Sequence, residues 1–144
     1  MLSIFKSCSP EETFNLGKEF AVNLKPDDII GLKGELGSGK TQFVKGIGKY
    51  FNVSEFINSP TFIIVNIYNG TVPGTSNKQI LNHFDLYRID KPYELSVIGF
   101  NEYLNTGSII LIEWCSLAEE YLGREIKKIF FEYGESENER IIKL

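Results

Sequence analysis

Residues 29–47, IIGLKGELGSGKTQFVKGI, constrain this chain more than any other stretch, because a short β-branched run passes through a glycine loop straight into a helix-periodic run. Gly34-Glu35-Leu36-Gly37-Ser38-Gly39-Lys40-Thr41 matches the pattern G-x-x-x-x-G-K-[ST]. Glycines there permit positive φ and close approach of backbone N–H groups, which converge with the N-terminus of the following helix to cradle phosphates. Lys40 would reach the β and γ phosphates of a nucleotide, and the Thr41 hydroxyl would ligate Mg²⁺. Glycine-rich turns also join strands to helices without any chemical purpose. Here the context fits: IIGLKG precedes the loop as a strand, and Phe43, Val44, Ile47 and Phe51 follow it at the spacing of one helix face.

The rest of the chain reads as one domain over residues 1–144, a length that buries a core without disulfides or structural metal. Ser9-Pro10-Glu11-Glu12 is a helix start, with the helix running toward Pro26. TFIIVNIYNG and QILNHFDLYRI are strand-like runs joined by a turn-rich loop, an antiparallel pair. A short helix is expected from Pro92 to Val97, a doubly buried strand in SIILIEW, a helix in SLAEEYL, and two closing strands in EIKKIFFEYG and ERIIKL. This order mixes βαβ units with hairpins. It predicts a three-layer α/β domain of the P-loop NTPase-like kind with a mixed, partly antiparallel sheet.

Composition narrows the function classes. No apolar run approaches the roughly 18 residues that a membrane span needs, and MLSIFKSCSP is not a secretory signal, so the expected compartment is the cytoplasm. Cys8 and Cys115 form no C-x-x-C pair and read as free thiols. The net charge of −4, without a basic block, argues against an autonomous grip on nucleic acid.

A phosphate loop needs an acid on a neighbouring strand, and two candidates compete. Glu113 ends the apolar run IILIE, where a buried strand would deliver its carboxylate to the rim of the sheet. Asp85 lies in HFDLYR, where alternation puts His83, Asp85 and Tyr87 on one face and Phe84 and Leu86 on the other. Asp85 suits a water-orienting acid or one that supports the magnesium shell. His83 by itself reads more readily as a hydrogen-bonded structural residue.

With the glycine loop, Ser59-Pro60-Thr61-Phe62, His83-x-Asp85-x-Tyr87-Arg88 and Ile112-Glu113-Trp114 in this order, the sequence resembles the TsaE (YjeE) family of bacterial P-loop ATPases. Thr13 with Leu16-Gly17, Glu94-Leu95 and Gly99-Phe100 extend the likeness over nearly the whole chain. The resemblance implies an ATPase that works with the partner proteins TsaB and TsaD in making threonylcarbamoyladenosine beside the anticodon of tRNA, which the complex rather than this chain would contact. It implies ATP and Mg²⁺ as cofactors, Lys40, Asp85 and Glu113 as catalytic residues, and Thr41 and Glu113 as metal ligands. The nucleotide would meet Thr13, Glu35, Leu36, Gly37, Ser38, Gly39, Lys40, Thr41, Gln42 and Trp114, and residues 59–62 would form a switch-like loop. Ser38 and Gln42 replace the alanine and second threonine common in the family but still offer backbone N–H groups. Read from the residues alone, Trp114 could equally pack in the core, and the stretch around Pro60 could be an ordinary loop entering a strand.

Three other functions share the loop. A small-molecule or nucleotide kinase would want several arginines for substrate and lid, and the chain has only Arg88, Arg124 and Arg140. A GTPase would carry N-K-x-D, whereas Asn77-Lys78-Gln79-Ile80 lacks the aspartate. A nucleotide-gated binding module with negligible turnover differs from a slow ATPase only in degree.

Overall fold

The computed structural model describes residues 2–144. It begins with a strand that the sequence does not announce, β1 (Ile4–Ser7). Helix α1 (Pro10–Ala21) then starts at its expected cap: Glu12 N–H donates to Ser9 Oγ at 3.1 Å, while Cys8 N–H donates to the Glu12 carboxylate at 2.7 Å. Two orphan donors at the helix entrance are thereby satisfied. The helix stops earlier than Pro26, at Ala21, with Val22 as its C-cap.

Strand β2 (Ile29–Gly34) runs into the glycine loop, and α2 (Lys40–Tyr50) leaves it. β3 (Val65–Thr71) and β4 (Lys78–Asp85) form the expected antiparallel pair. Both differ from the sequence expectation at their ends. Residues 61–64 turn rather than extend, because Ile63 and Ile64 N–H both donate to Pro60 O, and β4 stops at Asp85 instead of reaching Ile89. α3 (Glu94–Val97) is a single turn followed by a 3₁₀ turn, Phe100–Tyr103. β5 (Ile109–Glu113), α4 (Ser116–Leu122), β6 (Lys127–Tyr133) and β7 (Arg140–Lys143) close the chain as expected.

The strands make one seven-stranded sheet in the order β1-β7-β6-β2-β5-β4-β3. Its centre, β6-β2-β5-β4, is parallel, and the outer strands β3, β7 and β1 are antiparallel. Helices cover both faces, giving the three-layer α/β architecture. β5 shows why. Ile109 and Leu111 pack with Phe43, Val44 and Ile47 of α2 on one face, and Ile110 and Ile112 pack with Phe84, Phe100 and Ala118 on the other, so every residue of the strand is buried. On the first face α1 and α2 touch backbone to backbone. A Cβ on Gly17 would lie 2.1 Å from Phe43 O, and one on Gly46 would lie 2.0 Å from Phe14 O.

Cys8 and Cys115 are free, and burial pushes the Cys115 thiol up, away from reactivity. Among the described residues no helix is long and apolar enough to cross a membrane.

Candidate functional site

Three strand ends meet at the carboxyl edge of the parallel sheet, the place where open α/β sheets bind ligands. β2 delivers the glycine loop; Asp85 and Glu113 are the last residues of β4 and β5 and stand opposite one another in register. A cavity of about 660 Å³ opens between them. Its walls carry Glu35, Leu36, Gly37, Gly39, Lys40, Thr41 and Gln42 from the loop side, and Ser59, Thr61, Asp85, Tyr87, Glu113 and Trp114 from the other.

The loop is shaped by its glycines and held from behind. Gly37 and Gly39 adopt φ of 78° and 108°, which side-chain-bearing residues rarely tolerate. A Cβ on Gly34 would fall 2.7 Å from Phe131 O, so the loop can lie against β6 only with glycine there. The Tyr133 hydroxyl donates to Leu36 O, and Arg140 donates to Gly37 O at 3.1 Å and 3.3 Å while its guanidinium stacks on the Tyr133 ring. With those carbonyls engaged on the far side, the loop's N–H groups and the orphan donors of the first turn of α2 are left to bind an anion. Tyr133 and Arg140 were not foreseen from the sequence. They lie about a hundred positions from the loop, and no local pattern links them to it.

Lys40 curls over the loop, its Nζ donating to Gly34 O and, at 3.2 Å, to Glu35 O, with Glu113 Oε1 at 3.9 Å. Burial holds its ammonium below the usual lysine value, against the opposing pull of Glu113 and Asp85. Opposite it, Thr61 Oγ1 donates to Asp85 Oδ2 at 2.9 Å, and Ser59 Oγ lies 3.3 Å from Asp85 Oδ2 and 3.4 Å from Glu113 Oε2. The stretch around Pro60 is therefore tied to both acids, unlike an ordinary connecting loop. It leaves through Ile64, whose φ of 71° and bracketing Val65 N–H to Ile63 O bond make a strained γ-turn. The Ile64 carbonyl is pinned by Asp85 N–H at 2.8 Å.

The alternation expected in HFDLYR holds for His83 and Asp85, which are buried on the loop's side of the sheet, while Phe84 and Leu86 join the opposite core. Tyr87 departs from it. With the strand ended, its N–H folds back to Asp85 Oδ1 at 3.0 Å, and its exposed ring packs against Trp114 with centroids 5.0 Å apart. Trp114 is not core: it is 56% exposed, with φ of 58°, at the cavity's edge. Thr13 and Ser38 stand differently from the other residues expected around a nucleotide. Both are buried and outside the cavity wall; the Thr13 hydroxyl pairs with Ser7 Oγ at 2.7 Å, and its methyl lies 3.4 Å from where a Gly39 Cβ would be. They support the loop from beneath.

Among the described residues no group of three or more His, Cys, Asp or Glu side chains forms a metal cage. The donor set of one hydroxyl (Thr41) and two carboxylates (Asp85, Glu113) lining the same cavity nonetheless suits Mg²⁺, which binds through one or two protein oxygens plus phosphate and water.

A family model described as threonylcarbamoyl adenosine biosynthesis protein TsaE matches residues 7–142 of this chain. The tRNA threonylcarbamoyladenosine biosynthesis protein TsaE of Bacillus subtilis (strain 168) is 36% identical over 137 residues, covering 94% of this chain and 81% of the relative. The protein of the same name from Rickettsia typhi is 46% identical over 115 residues, 79% of this chain and 75% of that one. A crystal structure of YdiB from B. subtilis superposes with a TM-score of 0.77 at 29% identity, covering 99% of this chain and 84% of the other.

Proposed function

The chain belongs to the TsaE family, whose members take part in tRNA threonylcarbamoyladenosine biosynthesis, and from that premise we propose that it is the ATP-binding, slowly hydrolysing component of the assembly that makes this modification. The ATP cycle controls its association with TsaB and TsaD, and tRNA is met through them. The observation that carries the reading is the convergence of Lys40, Thr41, Asp85 and Glu113 on one cavity walled by the glycine loop.

In this reading the loop's N–H groups and the start of α2 receive the phosphates, and Lys40 exchanges its bonds to Gly34 O and Glu35 O for phosphate oxygens. Thr41 and Glu113 would hold the metal, and Asp85 would orient the attacking water. Mg²⁺, when bound, would neutralise charge on the β and γ phosphates. Trp114 and Tyr87 wall the cavity's outer edge. None of the three arginines lines it, so no resident guanidinium stabilises the transition state and unaided turnover is slow. The same lack disfavours a kinase.

Residues 59–62 supply the coupling. Ser59 and Thr61 bond the acids, while Phe62, under the Arg88 guanidinium at 4.6 Å, is 80% exposed. A change at the acids therefore moves an apolar outer surface. The test is ATP hydrolysis and tRNA modification assayed with and without TsaB and TsaD, for wild type and Lys40→Ala. Slow turnover that rises with the partners, and loss of modification in the variant, are expected. Rapid turnover by the isolated chain, or full modification with Lys40→Ala, would overturn it.

A further inference from the structure

His83 is completely buried, two residues before Asp85 along β4, with its Nε2 2.8 Å from Glu113 Oε2. Its other ring nitrogen, Nδ1, is also buried and has no hydrogen-bond partner. The carboxylate can only accept, so Nε2 carries the proton that joins the two groups. In the neutral ring Nδ1 is then a bare acceptor, the less costly kind of orphan. The imidazole thus directs its Nε2–H at Glu113, and among the described residues no other polar contact holds the ring.

That donor divides the two oxygens of Glu113. Oε2 is taken by His83 and approached by Ser59 at 3.4 Å, whereas Oε1 faces the cavity side, 3.9 Å from Lys40 Nζ. A glutamate at the end of a strand has three rotatable side-chain bonds, and its carboxylate would otherwise sample several rotamers. Ser59 lies on an exposed segment and cannot fix it alone. We propose that His83 is a positioning residue, whose Nε2–H locks the Glu113 carboxylate so that Oε1 is presented to a divalent metal. The inference rests on the proposed metal–nucleotide reading and deepens it: hydrogen bonds to a metal-bound carboxylate fix its orientation and its basicity.

Manganese binding followed by electron paramagnetic resonance, and calorimetric ATP titration with and without Mg²⁺, test it in the full chain. Wild type, His83→Leu and His83→Gln are compared, the glutamine placing an amide N–H near the position of Nε2. His83→Leu should weaken metal binding in the presence of ATP by about tenfold, the lower end of losses seen when such partners are removed. Metal-free ATP affinity should stay within about twofold. His83→Gln should recover most of the loss, and in a Glu113→Gln background His83→Leu should add nothing further. If His83→Leu misfolds by circular dichroism, His83→Asn, whose shorter amide stops short of Glu113 Oε2, takes its place: the same roughly tenfold loss of metal binding is expected, and unchanged metal affinity would overturn the inference. Unchanged metal affinity in His83→Leu, or equal losses of metal-free and metal-dependent binding, would overturn the inference while leaving ATP binding intact. Absence of metal–ATP binding in the wild type would overturn the broader reading as well.

Discussion

At the scale of single residues, the site holds a charge that the fold itself does not favour. Lys40 has an 11% exposed side chain, and burial depresses its ammonium more than Glu113 and Asp85 support it. Its native value lies below the unfolded one, so the penalty is full below the depressed value and fades as pH rises through it, where the unfolded chain binds more protons. Lys40→Met should therefore abolish ATP binding while leaving the urea midpoint at pH 7 equal to or above that of wild type, with the gap narrowing toward alkaline pH. A midpoint well below wild type at pH 7 would show that the lysine's bonds to Gly34 O and Glu35 O outweigh its burial. Lys40, Thr41 and the two acids were legible one by one, since each has a motif or a strand end to announce it. The partner of each was not. That Glu113 meets His83, and that Ser59 and Thr61 meet Asp85, depends on register between β4 and β5 and on the path of residues 59–64.

At the scale of elements, α2 is both the floor of the core and the origin of the amides proposed to receive phosphate, so its seating against α1 matters to both. Gly17 and Gly46 let the helices approach until each would-be Cβ meets a carbonyl oxygen of the other helix. Backbone cannot swing aside as a side-chain tip can. Gly46→Ala gains about 1 kcal/mol of helix propensity, yet overpacking of this kind typically costs roughly 1–3 kcal/mol and the contact here is severe. A net loss of about 1–2 kcal/mol in urea unfolding is expected, together with weaker ATP binding as α2 shifts its N-terminus. A stability at or above wild type would mean that the crossing relaxes freely. Helices α1, α2 and α4 and strand β5 declare themselves by caps and apolar spacing. β1 does not: Ile4, Phe5 and Lys6 are all exposed, and only pairing with β7 makes them a strand. Residues 61–64 mislead in the opposite sense, because β-branched residues suggest extension where Pro60 O and the Asp85 N–H impose a turn.

At the scale of the whole molecule, the cavity sits where the loop, two strand ends and the segment around Pro60 touch, so a ligand there joins parts distant in sequence. Binding to the native state alone stabilises it by about 2.7 kcal/mol at a hundredfold excess over Kd. For a domain of this size that is a rise in Tm on the order of 8 °C. Mg²⁺–ATP should produce such a shift in wild type and none in Lys40→Ala; an equal shift in both would place the ligand elsewhere. The strand–loop–helix unit, the alternation along β4, the doubly buried β5 and the α/β class are legible in the order of residues, because each follows from local propensity, periodicity and the special backbone of glycine. Folding in three dimensions is what lets Tyr133 and Arg140 grip the loop's carbonyls, sets Thr13 beneath the loop, turns Trp114 outward and brings His83 to Glu113. Those contacts join residues brought together by strand order and register, which local patterns in a single chain do not encode.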